Sequence, residues 1–139
     1  MLSRAQIQGR IPHAGSMCLL DSVQRWDATR IVCRAKAPTA AHPLAGAQGV
    51  PVVAAVEYAA QAAAVHGALV DDTDSPRAGM LAKLMNVELS IARLEESGGP
   101  LTIRAELLSR VDAGCLYSFE VRDPRICLAR GRLMVAFQP

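Results

Sequence analysis

From residue 85 onward, apolar and polar positions trade places with a period of two. Met85, Val87, Leu89 and Ile91 alternate with Asn86, Glu88, Ser90 and Ala92. Leu101, Ile103, Ala105 and Leu107 alternate with Thr102, Arg104 and Glu106, and Cys115, Tyr117, Phe119 and Val121 with Leu116, Ser118, Glu120 and Arg122. Side chains on a strand point to opposite faces in turn, so this pattern predicts strands with one face buried. A last apolar run, 126–137, is also strand-like. Ser97-Gly98-Gly99-Pro100, Asp112-Ala113-Gly114 and Asp123-Pro124 are turn signals between these runs. Upstream, 17–26 (MCLLDSVQRW) and 30–37 (RIVCRAKA) read as two more strands, parted by Asp27-Ala28-Thr29. The first dozen residues carry a weak signal for a short helix.

Residues 49–69, GVPVVAAVEYAAQAAAVHGAL, follow neither pattern. Pro51 suits the first position of a helix, where its missing N–H is not needed. Alanine fills eight positions between 54 and 68, giving high helix propensity and a narrow body. The helix is expected to run to about Leu69 and to end at the polar loop that starts at Asp71. A helix apolar all round is expected to be buried all round. The order is thus two strands, one long helix and a four-stranded meander. An antiparallel sheet with one apolar face needs a cover, and only this helix can supply it. The predicted class is α+β, a single domain over 1–139 with an antiparallel sheet of five to six strands curled round one central helix.

Composition narrows the function. Hydrophobic residues make up 51% of the 139, aromatics only 4%, and mean hydropathy is +0.20, which suits a small-residue core extended by an oligomer interface. Net charge is +2 with no Lys/Arg run, so nucleic acid is not an expected partner. Cys18, Cys33, Cys115 and Cys127 lack metal-ligand spacing, and reduced thiols in a cytoplasmic protein are expected. The N-terminus has no apolar signal-peptide core. Residues 50–70 are long enough to span a bilayer. Glu57 and Gln61 near the middle make insertion costly, so no membrane insertion is expected.

Two stretches resemble the 3-hydroxyacyl-ACP dehydratases, which have the hotdog fold. Residues 10–23, RIPHAGSMCLLDSV, are similar to that family's opening Leu-Pro-His…Leu-Leu-x-Asp-x-Val, and 50–61, VPVVAAVEYAAQ, to its helix start with Glu-x-x-Ala-Gln. Residues 42–69 more closely resemble a subgroup encoded with aryl-polyene biosynthesis enzymes. The resemblance implies dehydration of 3-hydroxyacyl groups carried on acyl carrier protein, in fatty-acid-like or polyene biosynthesis. It implies no cofactor beyond the carrier's phosphopantetheine. It also implies a homodimer, or a heterodimer with another hotdog subunit, in which a His from one subunit faces an acid from the helix of the other. The family's His-Phe-Pro-x-x-Pro-x-x-Pro-Gly loop corresponds here to HPLAGAQGVP, with His42 as the nearest equivalent, Phe absent and Pro-Gly replaced by Pro51-Val52.

Dehydration needs a base for the Cα proton and an acid for the leaving hydroxyl. Glu57, within the first two turns of the helix, is the expected acid, and His42 the expected base. The backbone N–H groups of Val52 and Val53 are expected to meet the thioester oxygen. Gln61 lies one turn after Glu57 and orients it, contacts substrate, or ties helix to sheet. His66 is nine residues on, half a turn round the helix, and lines the tunnel or the dimer interface or is a core histidine. His13 is the replacement base if His42 stands apart. Asp21 reads as structural. Arg77, Arg93, Arg104, Arg110 and Lys83 either meet an acidic carrier protein or a pantetheine phosphate or are scattered surface charge, with none singled out, and no metal site is expected. A hotdog thioesterase, with Glu57 activating water, and a non-catalytic acyl-binding subunit are the alternatives.

Overall fold

The computed structural model describes residues 1–11, 17–39, 41–47, 49–72, 79–91 and 93–137. Seven strands form one antiparallel sheet: β1 (Leu2–Ser3), β2 (Ser22–Trp26), β3 (Arg30–Ala35), β4 (Gly79–Leu89), β5 (Leu101–Val111), β6 (Gly114–Arg122) and β7 (Cys127–Phe137). Their order across the sheet is β1-β2-β3-β5-β6-β7-β4, which leaves β4 at one edge. A short helix, α1 (Arg4–Gln8), is closed by a capping box between Ser3 and Gln6. The long helix, α2 (Ala55–Val70), is entered through a 3-10 turn, Val52–Ala54, after Pro51.

The inner sheet face is built by the alternation seen in the sequence. Ile31, Cys33, Ile103, Ala105, Phe119 and Val121 are buried beside Ala55, Tyr58, Ala59, Ala62 and Val65 of α2. Small helix residues let the curved sheet close on the helix from several sides. Val52–Val70 is long and apolar enough to cross a membrane, but 67% of its apolar window is buried inside the protein. The four cysteines are unpaired, two buried and two half-buried. Burial pushes the Cys33 thiol up to about 12.

Three expectations need correction. The strand expected over 17–26 begins only at Ser22, because the Met17 carbonyl and the Leu19 N–H are bonded to Gln61 instead of to a neighbouring strand. The strand expected from 85 begins at Gly79, and its pairing with β7 shifts between Met85 and Glu88, with Asn86 at φ +54°. Such a bulge breaks the period, and Gly131 of β7 gives the room for it, since a Cβ there would stand 3.0 Å from the Val87 backbone. Finally, α2 is not buried all round. Val53 is exposed and Glu57, Ala60, Ala64 and Gly67 are half-buried, a stripe at helical spacing that this chain's own sheet leaves open.

Candidate active site

The stripe carries the carboxylate. Glu57 is held by Gln61, whose side chain is 1% exposed and has every polar atom assigned. Its Oε1 accepts from the Leu19 N–H at 2.9 Å, and its Nε2 donates to the Met17 carbonyl at 2.8 Å and to Glu57 Oε1 at 3.0 Å. The amide therefore cannot flip without losing bonds, and it fixes one oxygen of the carboxylate. One side chain thus orients Glu57 and, in place of the expected tie to the sheet, fastens the helix to the segment before β2.

The helix start lies one turn earlier. At the beginning of a helix the first N–H groups lack intrahelical acceptors and carry the positive end of the peptide dipoles. Val52 and Val53 occupy that position, and Val53 is 50% exposed. Their approach to the helix is set by a residue that the sequence pattern did not single out. Glu95, in the 3-10 turn Leu94–Glu96 after β4, accepts the Val50 N–H on both carboxylate oxygens, at 2.9 and 3.3 Å. Arg93 lies 3.7 Å from it, and the Leu94 N–H bonds the Val50 carbonyl at 2.9 Å. Gly49 has φ +89°, and a Cβ there would run into the Glu95 carboxylate. No local signal could reveal a contact between residues this far apart in sequence.

His42 lies in the loop before the helix, and its partner is Tyr58, not Glu57. Its Nδ1 accepts the Leu44 N–H at 3.0 Å, which leaves the proton of the neutral ring on Nε2, and Nε2–H donates to Tyr58 Oη at 2.8 Å. Burial lowers the His42 pKa, opposed by the nearby Glu95 charge and aided by Lys36. Burial also pushes the Tyr58 hydroxyl up to about 12. Both groups are neutral near pH 7, and the pair fastens the loop to α2.

His66 is fully buried. Its Nε2–H donates to the Asp27 carbonyl at 2.9 Å, and its Nδ1 accepts from Tyr117 Oη at 2.7 Å. Desolvation lowers its pKa although the Asp27 carbonyl opposes this. With both nitrogens bonded inside the core, it stands apart from Glu57. Asp21 takes the Lys36 N–H at 2.6 Å and pairs with Arg4 at 3.1 Å, joining the start of β2 to α1. His13 and Arg77 lie outside the described residues.

An antiparallel sheet curled round one helix, with a fixed carboxylate in the helix's first turns, defines a hotdog-fold enzyme. The chain belongs to the ApeP-like family, described as ApeP dehydratase, which matches residues 5–139, and it is a dehydratase. Solved structures share the fold. The dehydratase heterocomplex ApeI:P from Xenorhabdus doucetiae is 21% identical, covers 96% of this chain and 91% of that chain, and has a TM-score of 0.81. A conserved protein from Pseudomonas aeruginosa is 21% identical, with coverage of 94% and 98% and a TM-score of 0.66. A hypothetical thioesterase with coenzyme A from Streptococcus pneumoniae is 10% identical, with coverage of 84% and 84% and a TM-score of 0.62. No curated protein matches the sequence.

Proposed function

We propose that this dehydratase acts on 3-hydroxyacyl thioesters borne by an acyl carrier protein and releases trans-2-enoyl products in aryl-polyene-type biosynthesis. The observation that carries this reading is the Gln61–Glu57 pair at the open stripe of α2, one turn from the helix-start amides. The Val52 and Val53 amides receive the thioester oxygen as it gains negative charge. Glu57 passes a proton to the leaving hydroxyl, which departs as water. The elimination changes no oxidation state, so the reading calls for no nicotinamide, and none of its steps calls for a metal.

The base is an imidazole. The family resemblance assigns it to His42, reaching the Glu57 of a second hotdog subunit across an interface along the open stripe. Such a subunit is another copy of this chain or a distinct hotdog chain. The engagement of both His42 nitrogens favours a second reading, in which His42 only fastens its loop. The base is then His13, four residues before the Met17 carbonyl that Gln61 binds.

The test incubates the purified chain, alone and with a co-expressed hotdog partner, with a 3-hydroxyacyl carrier protein. Enoyl product without free thiol is expected, and thiol release would identify a thioesterase instead. Glu57→Gln is expected to slow dehydration at least ~100-fold, within the range of a lost general acid. Full activity in that variant would refute the mechanism. Between the readings of the base, His42→Gln and His13→Gln decide by which one abolishes turnover.

A further inference from the structure

A depression with a volume of about 750 Å³ lies away from Glu57, on the sheet face turned from α2. Five arginines line it: Arg25, Arg30, Arg104, Arg130 and Arg132. Only three carboxylates, Asp27, Glu106 and Glu120, line it with them. The excess of two positive charges equals the +2 net charge of the whole chain, so the rest of the protein is electrically balanced. Charge that is scattered along the sequence is gathered by the fold into one place.

Strand register explains the gathering. Arg25 stands opposite Val32, Val32 opposite Arg104, Arg104 opposite Glu120, and Glu120 opposite Arg130, one row across five strands. Arg132 stands one row further along, opposite Ser118. Arg30 is neutralised by Glu106 at 3.0 Å and Arg130 by Glu88 at 2.8 Å, while Glu120 takes Arg122 at 3.4 Å. Among the described residues Arg25, Arg104 and Arg132 have no ion pair. Trp26, 42% exposed, follows Arg25 and borders the depression, but it stands opposite inner-face Ile31, so its ring turns to the other side of the strand.

We propose that this outer face docks an acidic α-helix of a partner protein. Spacing selects the occupant. Strands lie ~4.8 Å apart, so Arg25 and Arg104, two strands from each other in one row, are ~10 Å apart. Arg132, two strands on and one row over, is ~12 Å from Arg104 on the same reckoning. These backbone separations match those of carboxylates seven residues apart on a helix, ~10.5 Å along its axis, so each arginine can meet its own carboxylate. The proposal does not rest on the thioester reading, because the groove and Glu57 lie on opposite sides of the sheet.

Trp26 is the chain's only tryptophan and is next in sequence to Arg25, so its emission is an indirect readout of the groove's edge and calorimetry is the direct one. The probe is a synthetic alanine-rich helical peptide with Glu at every seventh position, titrated at low and physiological salt by Trp26 emission and calorimetry. An isomeric peptide with the same glutamates clustered at one end is the control. The spaced peptide is expected to bind saturably, more weakly as salt rises, and at least tenfold more tightly than the isomer. Arg104→Glu is expected to lose that binding at least tenfold while dehydratase activity stays unchanged. Equal binding of the two peptides, or retention of binding in Arg104→Glu, overturns the proposal. So does equal affinity for a single-stranded oligonucleotide, which would mark the face as a general anion surface. A change in the chain's own oligomer size in Arg104→Glu also overturns it, because the face would then be occupied by a second copy.

Discussion

Gln61 shows how one amide can serve both fold and chemistry. Replacing it with leucine keeps the volume but leaves the buried Leu19 N–H without its partner and releases the Met17 carbonyl, which lies nearer the surface. A buried orphan of this kind costs ~1–3 kcal/mol. Gln61→Leu is therefore expected to lower the urea midpoint clearly and to reduce turnover even at temperatures where it remains folded, since Glu57 loses its fixed orientation. Unchanged turnover in the folded variant would make Gln61 a purely structural tie. His66 permits a prediction of opposite character. The fold holds it neutral, with its pKa below the ordinary 6.5 of the unfolded chain, and burial holds His42 in the same direction. As pH falls through 6.5 the unfolded state takes up protons that the folded state refuses, so stability is lost on acidification and is fully present above that value. Urea unfolding at pH 7.5 and 5.5 is expected to show lower stability at the acid value. Equal stability at both would show that the two rings titrate freely in the fold.

At the scale of elements, the approach to α2 is a short loop set by a distant carboxylate. Gly49→Ala would force a side chain into a left-handed conformation, at ~1–2 kcal/mol, and also into the Glu95 carboxylate. Loss of more than that amount in chemical denaturation, with impaired turnover from misplaced Val52 and Val53 amides, is the expected result. A neutral Gly49→Ala would mean that Glu95 does not constrain the loop. The helix and strands β5 to β7 were legible in the sequence because each signal is local: alanines set the helix, apolar alternation β5 and β6, and a continuous apolar run β7. The short helix α1 was legible only weakly. Strand β1, at two residues, carries no period to read, and the first half of β4 lacks alternation because an exposed edge strand has no buried face to enforce it. At the site, Glu57 was legible as an unlikely charge in an apolar run. Tyr58 and Glu95 were not, because a tyrosine in a core helix and a glutamate in a turn are ordinary until the fold brings His42 and Val50 to them.

For the whole molecule, the question is whether one chain holds a complete site. The protomer binds His42 to Tyr58 and Glu57 to Gln61, so its two proposed proton carriers have separate partners. It also leaves open the stripe of α2 on which Glu57 lies, and it exposes Met80, Leu81, Leu84 and Leu89 on the edge strand β4. These surfaces suit a second hotdog subunit, and in a two-fold dimer each site would join His42 of one subunit to Glu57 of the other. Complementation separates this arrangement from a site contained in one protomer. His42→Gln and Glu57→Gln chains, each inactive alone, are unfolded together and refolded as a mixture. If the sites are shared, half the dimers are mixed and each has one site with both native residues, so activity is expected to return to about one quarter of the native level. If base and acid belong to one chain, every protomer lacks one of them and the mixture stays inactive. Activity in His42→Gln alone would end His42's candidacy, and the same experiment with His13→Gln in its place would then report whether that base is shared across the interface.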